Sequence, residues 1–550
     1  KAKTMKNLVA LVFLFSVCTA EAQRFKVIDT NQVAAGLNAN GSHFWDDNLQ
    51  STFDIPKNTG LSTIRFAEFW IGGYDTLGNL YVAAQISRPA GYDFRAGPIN
   101  SSGLTDPAYD KVWKLSRNQI NAHIANYNNP GYVTPTDILT WPGNGDMNNG
   151  EAAQLAPYED LNGNEIYEPL LGEYPCIRGD QAVYAIYCDQ LDESIGVGIG
   201  ENLMVEFHTM LYQYTSIPGK AYLDSTIFNH TVVHARGTID FVDVYLANYV
   251  DFDIGQFYDD YMGSDVQRNM IFAYNGNGVD AQYGVDPPAQ GVRLLKGPEA
   301  AQNDSVDNNH NGVIDEPGER HGLYSVMTYS DLTASVGLPL FPKEYYQSLT
   351  ARWKDSTHLV FNGWDGHVSS GAGPECNFRY SWDTDPSHPA PFWDEVAAGQ
   401  GAVQRRGHGS VGPMTLPAGS KLEFDYAYLF GRKQFFGPLG GVTRIKEVSD
   451  SVAVWWNQQN YSCSSLTISL DEPELVYSLF PNPASDRVTV VVNRAGRTEW
   501  TLISVDGRVL KAGVFEGGEN QIDLQGVASG SYFPKLAGEG FEKVEPLVVH

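Results

Sequence analysis

The sequence predicts a mostly β protein: a multi-layer β-sandwich or jelly-roll-like main region with a few short helices, then a C-terminal immunoglobulin-like β-sandwich. Three observations predict it. The 550 residues include 30 Tyr, 26 Phe and 11 Trp beside 55 Gly and 29 Pro, which pairs strand formers with frequent turns. Several runs alternate apolar and polar residues with period two. Over residues 477–550, short alternating runs are separated by the turn formers Asn482-Pro483, Asp506-Gly507, Gly517-Gly518 and Ser529-Gly530.

Met5 reads as the start of translation, with the residues before it as upstream sequence. Lys6 supplies a positive n-region, Leu8 to Val17 an apolar h-region, and Ala20-Glu21-Ala22 a small-x-small cleavage site, so residues 1–22 are expected to be a signal peptide. Val17 is a poor lipobox residue before Cys18, which favours cleavage after Ala22 over lipidation. No membrane span is expected, because no run approaches the ~20 apolar residues that crossing requires. Removing residues 1–22 takes away Lys1, Lys3, Lys6 and Glu21, leaving 34 basic and 64 acidic side chains and a formal charge of −30. Such a surface repels nucleic acid and anionic lipid and suits divalent cations. Cys176, Cys188, Cys376 and Cys463 remain, enough for two disulfides in any of three pairings; their spacing is not that of a zinc ribbon.

Residues 23–470 form the β-rich main region, with room for two subdomains meeting near residues 300–325. In Leu422-Glu423-Phe424-Asp425-Tyr426-Ala427-Tyr428-Leu429-Phe430 the even positions make one apolar and aromatic face. Val205, Phe207 and Leu211 make another, and Ile239 to Val250 reads as a long strand. Ser116 and Gln119 form a capping box that starts a short helix carrying Ile120 and Ile124. Ile445, Val448, Val452 and Trp455 recur at helical spacing between Val442 and Asn457, with Trp455-Trp456 read as core. Residues 471–476, which include Asp471-Glu472-Pro473-Glu474, are the linker.

The C-terminal segment runs through Leu479-Phe480-Pro481-Asn482-Pro483-Ala484-Ser485-Asp486, the strand Arg487-Val488-Thr489-Val490-Val491-Val492, Val505-Asp506-Gly507-Arg508-Val509, Gln521-Ile522-Asp523-Leu524 and Ala528-Ser529-Gly530-Ser531-Tyr532. This order resembles the type A C-terminal sorting domain of the type IX secretion system of Bacteroidota. The resemblance implies export to the outer cell surface or extracellular space, with the type IX machinery as partner. Phe533-Pro534-Lys535 departs from the alternation and is expected to make the last strand irregular. Most of residues 40–430 also resembles a group of secreted Bacteroidota proteins, without an assigned activity, that carry this sorting domain. The shared pieces include Phe69-Trp70-Ile71-Gly72-Gly73, Asp93-Phe94-Arg95-Ala96-Gly97-Pro98, Gly179-Asp180-Gln181-Ala182, Asp259-Asp260-Tyr261-Met262-Gly263, Arg352-Trp353-Lys354-Asp355 and Gly412-Pro413-Met414-Thr415-Leu416.

Two loops carry the ligand pattern of an EF-hand-type calcium site. In the first, Asp307, Asn309, Asn311 and Asp315 stand at positions 1, 3, 5 and 9, Gly312 at 6, and the Val313 carbonyl at 7. Position 12 is Gly318, so Glu316, Glu319 or water has to close the shell. This is nearer to thrombospondin type 3 or dockerin loops than to a signalling switch. In the second, Asp160, Asn162, Asn164 and Glu168 supply side-chain oxygens and Ile166 its carbonyl, with glycine at position 4. Calcium is therefore the expected cofactor; the competing reading of each loop is a solvated Asx-rich turn. Asp251, Asp253, Asp259, Asp260 and Asp265 form a third acidic concentration, a candidate metal or carbohydrate site.

No HExxH, Gly-x-Ser-x-Gly or phosphate-binding glycine loop occurs. His358, His367 and His408 read as structural or surface residues, and Trp364-Asp365-Gly366-His367 as a stretch able to line a sugar groove. The expectation is a secreted, calcium-stabilised protein acting by binding or assembly: an adhesin, matrix component or filament subunit, with self-assembly or surface polysaccharide as its partner. The alternatives are an exported hydrolase of polysaccharide or protein, and a carbohydrate-binding protein.

Overall fold

The computed structural model describes residues 24–550 apart from 47, 49, 86–92, 192–201, 331–333, 372, 462, 464–476, 506–507, 539–540 and 545. The signal peptide, the linker and the Asp506-Gly507 turn lie outside the described residues. The chain divides into two compact units, one ending at Ser464 and the other beginning at Ser465.

Two large antiparallel sheets, with three two-stranded ones beside them among the described residues, build the first unit. The larger runs in the order Asp260–Asp265, Met270–Asn275, Ala289–Lys296, Lys421–Gly431, Thr226–Ala235, Val205–Gln213 and Gln181–Cys188, the last paired with both Arg95–Ala96 and Trp113–Ser116. The smaller runs Ser325–Tyr329, Arg405–Leu416, Phe241–Phe252, Ile64–Asp75, Leu80–Ala84. They pack face to face: Phe69, Ile71, Leu246, Val250 and Val411 of the smaller sheet share one core with Val183, Phe207, Val233, Phe424, Tyr426 and Tyr428 of the larger. Each such side chain, fully buried, contributes about 1.5–3 kcal/mol.

The outer face of each sheet is covered as well, which explains why these strands read as nearly continuous apolar runs. Along Phe241–Phe252, Leu246 and Val250 point into the sandwich, whereas Tyr245, Ala247 and Tyr249 join a second core with Trp70 and the helix Pro342–Leu349. Trp70 stacks on Tyr249 at 4.3 Å and meets Tyr345 edge-on at 4.7 Å. Along Lys421–Gly431 the predicted even face enters the sandwich, while Ala427 and Leu429 pack under the helix Gly440–Trp456. Val442, Ile445, Val448 and Val452 hold that helix down, and Trp455 and Trp456 are buried with them. Gly431 permits the contact, since a Cβ there would stand 2.5 Å from the Ile445 backbone nitrogen. Asp425, on the same outer face, is offset by Arg178 at 2.5 Å and His230 at 3.0 Å. The capping box also forms: the Ser116 hydroxyl accepts from Gln119 N and Gln119 Oε1 accepts from Ser116 N, opening the helix Arg117–Asn126.

Among the described residues one disulfide forms, Cys176–Cys463, with Cα atoms 5.3 Å apart. Cys188 and Cys376, which could have made a second bridge, stay free. Cys188 ends a strand of the larger sheet and Cys376 lies in the core outside the smaller one, so the sandwich separates them. Burial pushes both thiols up, that of Cys188 to about 12.

In the second unit, Tyr477–Phe480, Arg487–Ser504, Val509–Asp523, Gly530–Gly538, Phe541–Val544 and Leu547–Val549 form one connected sheet. The long strand Arg487–Ser504 breaks register between Val492 and Thr498 and sends Val488 and Val490 from one half and Leu502 from the other into a single core with Ile522, Leu536 and Leu547. Gly517-Gly518 is not a turn; it lies in the strand opposite that irregularity, Gly518 pairing with Val492 and Gly517 with Ala495. Pro534 does not break its strand either. On one side it faces Leu502; on the other, Leu547–Val549 pairs up to Tyr532 and Phe541–Val544 begins at Lys535, so proline falls in the gap between partners, where no donor is needed.

Candidate metal-binding loops

The loop after Asp307 is shaped by its own side-chain oxygens. Asp307 accepts from Asn311 N at 3.1 Å and Gly312 N at 2.8 Å; Asn309 Oδ1 accepts from Asn311 N at 2.9 Å, and Asn311 Oδ1 from Val313 N at 2.8 Å. These local bonds satisfy backbone donors that no helix or sheet reaches. The amide nitrogens of Asn309 and Asn311 converge on Glu316 Oε1 at 2.7 and 2.6 Å, and they hold that carboxyl below its ordinary range. Behind the loop, Glu319 is 5% exposed and accepts from Asn308 N at 2.6 Å. Glu316 Oε2 and Glu319 Oε2 are buried without a hydrogen-bond partner. Asp315 accepts from Asp304 N at 2.9 Å and Ser305 N at 3.1 Å. The Val313 side chain is exposed, so its contribution to the loop is backbone.

The Asp160 loop has the same design despite its displaced glycine. Asp160 accepts from Gly163 N at 2.7 Å and Glu165 N at 2.7 Å, and these amides, Glu165 foremost, lower its pKa. Asn162 and Asn164 both donate to Glu168 Oε2, at 3.1 and 2.7 Å, and Asn164 Oδ1 accepts from Ile166 N. Positions 4 and 6 are left-handed in both loops: His310 (φ 62°) and Gly312 (φ 89°) in one, Gly163 (φ 74°) and Glu165 (φ 61°) in the other. Glycine takes position 6 in the first and position 4 in the second, while the path of the chain is shared.

Sequence reasoning missed the brace of this second loop. Glu173 is fully buried and accepts from Leu161 N at 3.3 Å and Glu168 N at 2.6 Å, as Glu319 braces the first loop; Asn144 clamps Tyr167 N at 2.7 Å. The signal was the repeated Glu-Pro followed by Gly-Glu, Glu168-Pro169 with Gly172-Glu173 and Glu316-Pro317 with Gly318-Glu319. Both loops offer hard oxygen donors, carboxylate and amide, of the kind calcium takes. The two unpartnered buried carboxylate oxygens fit a cation held from within the first loop.

The other singled-out residues fall in separate places. Asp265 pairs with Arg268 at 3.0 Å and Lys446 at 3.3 Å, and Asp251 with Arg406 at 3.6 Å, leaving Asp253, Asp259 and Asp260 on one turn. His408 is buried against Trp70 and Tyr329, and burial lowers its pKa to about 3. His367 is held by Asp355 at 2.8 Å and Ser369 at 2.7 Å, and His358 by the Leu359 carbonyl at 3.0 Å. No helix among the described residues is long and apolar enough to cross a membrane.

Among solved structures, a polysaccharide lyase is similar over 62% of this chain and 34% of that one, at 6% identity and a TM-score of 0.18. The chain thus spans about a third of that protein's length, and a likeness this slight bears on no activity. No curated protein matches the chain. Residues 478–550 match the family described as the secretion system C-terminal sorting domain. With that domain of the type IX secretion system at its end, the protein is one exported to the cell surface or the extracellular space.

Proposed function

We propose that the exported main region is a calcium-stabilised binding or assembly protein of the cell surface or its surroundings. The observation that carries this reading is the shared loop design: two Asp-x-Asn-x-Asn turns with the same left-handed positions, both closed on a glutamate and braced by a buried second glutamate. Asp307, Asn309, Asn311, Val313, Asp315 and Glu316 would hold one ion, with Glu319 behind them; Asp160, Asn162, Asn164, Ile166 and Glu168 would hold the other. A bound calcium neutralises carboxylates that otherwise repel, and fixes turns that no helix or strand supports. With a formal charge of −28, the chain meets a second copy across two acidic surfaces, and divalent cations lower that barrier. The test is melting and limited proteolysis of the full chain in calcium and in chelator, with sedimentation in both. A higher melting temperature and slower cleavage in calcium support the stabilising role, and larger species in calcium support assembly. Identical melting and cleavage in both would sink the calcium part.

A further inference from the structure

Two segments of the chain meet beside the first Asx-rich loop. The strand Ala289–Lys296 leads into Gly297-Pro298, and the chain leaving the loop returns alongside: Ala300 N donates to the Glu319 carbonyl at 3.0 Å and His321 N to the Pro298 carbonyl at 2.9 Å. Glycine permits this approach, since a Cβ at Gly297 would stand 2.0 Å from the His321 carbonyl oxygen. Asn269 ties the segments to the loop; its Oδ1 accepts from Leu323 N at 2.8 Å and its Nδ2 donates to the Asn309 carbonyl at 3.3 Å.

These contacts leave a cleft of about 220 Å³. Lys296, Arg320 and His321 line it, and no carboxylate does. In a chain with 65 acidic and 37 basic residues, that lining runs against the bias of the whole. The two cations are loosely engaged. Lys296 Nζ lies 3.7 Å from Glu423 Oε2, and Glu423 is already matched by Lys421 at 2.8 Å. Arg320 reaches Glu299, whose side chain is 77% exposed, at 3.3 Å, and the Gly297 carbonyl at 3.3 Å. Pairs so long and so exposed hold their partners weakly. His321 is 7% exposed, and its ring makes no hydrogen bond among the described residues. Asp304, whose charge reaches that ring, is taken by Val306 N and Asn308 Nδ2. Side chains buried to this degree are ordinarily hydrogen-bonded, so a ring left open on a cleft has a partner to take.

We propose that this cleft binds a small organic carboxylate, the size of a single sugar acid. The Arg320 fork and the Lys296 ammonium hold the carboxylate through charge-assisted hydrogen bonds, and the His321 ring donates to a further ligand oxygen. The volume is below the ~300 Å³ at which drug-sized sites begin, and Leu294 and Leu295 set an apolar wall beside the polar one. The inference deepens the binding role proposed above by naming a ligand class. It does not require calcium, although Asn309 and Gly318 of the first loop border the cleft.

The test is isothermal titration calorimetry of the full chain with sodium glucuronate at constant ionic strength, with glucose as a neutral ligand of similar size, each in calcium and in chelator. Glucuronate should bind and glucose should not. Lys296→Gln and Arg320→Gln should each weaken glucuronate by at least about tenfold with circular dichroism unchanged. Glu299→Gln, which releases Arg320 from its exposed partner, should tighten it about twofold to fivefold, a gain that damage to the fold cannot produce. No glucuronate binding in either condition, equal binding of glucose, or undiminished binding by both Lys296→Gln and Arg320→Gln would overturn the proposal. Glucuronate binding that is the same in calcium and in chelator supports the site even where the calcium reading has failed, so the two fail separately.

Discussion

Asn309 donates from its side-chain amide to Oε1 of Glu316 at 2.7 Å, so the third residue of the loop is tied to the glutamate that closes it. Asn162, the third residue of the second loop, stands in the same relation to Glu168 at 3.1 Å. The glutamate gathers two amides at one oxygen, and in the first loop leaves its other oxygen buried and unpartnered.

That relation sets the first prediction. Glu316→Gln removes the charge that closes the first loop but leaves the second intact. For a site with Kd near 10⁻⁴–10⁻³ M and calcium at about tenfold Kd, each loop contributes about 1.4 kcal/mol of calcium-dependent stability. The variant should lose roughly half of the wild-type difference between calcium and chelator, and Glu168→Gln the other half, as read by differential scanning calorimetry. An undiminished difference in both variants would rule out these glutamates as ligands.

Glu165 adopts φ 61°, a conformation that costs a side-chain-bearing residue about 1–2 kcal/mol. Its role in holding Asp160 is carried by its backbone N–H, which glycine retains. Glu165→Gly should therefore raise stability by about 1 kcal/mol, against the usual loss that glycine brings. Urea denaturation in chelator checks the sign; a destabilised variant would mean that the carboxylate itself has a role.

The disulfide Cys176–Cys463 ties the chain beyond the helix Gly440–Trp456 back to residues 287 positions earlier. Closing so long a loop restricts the unfolded chain, so Cys463→Ser should cost about 2–4 kcal/mol. Peptide mapping tests the pairing. Cys188 and Cys376 should take up an alkylating agent on denaturation alone, and Cys176 and Cys463 only after reduction.

His43 is fully buried between Phe44 and Phe69 with its ring against the Asn229 amide at 3.0 Å, and burial lowers its pKa to about 4. The folded-state value lies below the unfolded 6.5, so folding disfavours the charged ring. Its contribution is intact above pH 6.5 and is lost as pH falls from 6.5 toward about 4. The loss reaches about 3 kcal/mol in full, since the proton prefers the unfolded chain throughout that window. Measured by urea unfolding in saturating calcium at several pH values, His43→Asn should flatten this part of the acid limb. An acid limb as steep as that of wild type would place the effect elsewhere.

Much of this was legible in the residues because it is local. The even face of Leu422–Phe430, the Ser116–Gln119 box and the apolar stripe of the last helix follow from periods of two and 3.6, and each element forms within a few residues of the expected bounds. The Asx-rich loops were legible for the same reason, since oxygens at alternate positions reach backbone donors two to five residues on. In the sequence Gly517-Gly518 and Pro534 look like interruptions, because a turn former says nothing of its neighbours across a sheet. One lies opposite an irregular stretch, and the other in a gap between partner strands.

The sequence by itself determined the β class, the two loop designs and the export address, all written in short-range pattern. Tertiary structure alone decided which two of four cysteines meet, and that Arg406 pairs with Asp251 and Lys446 with Asp265. Those outcomes depend on residues brought together from distant parts of the chain. Burial makes them consequential, because a charge that water would have solvated must find a partner within the fold.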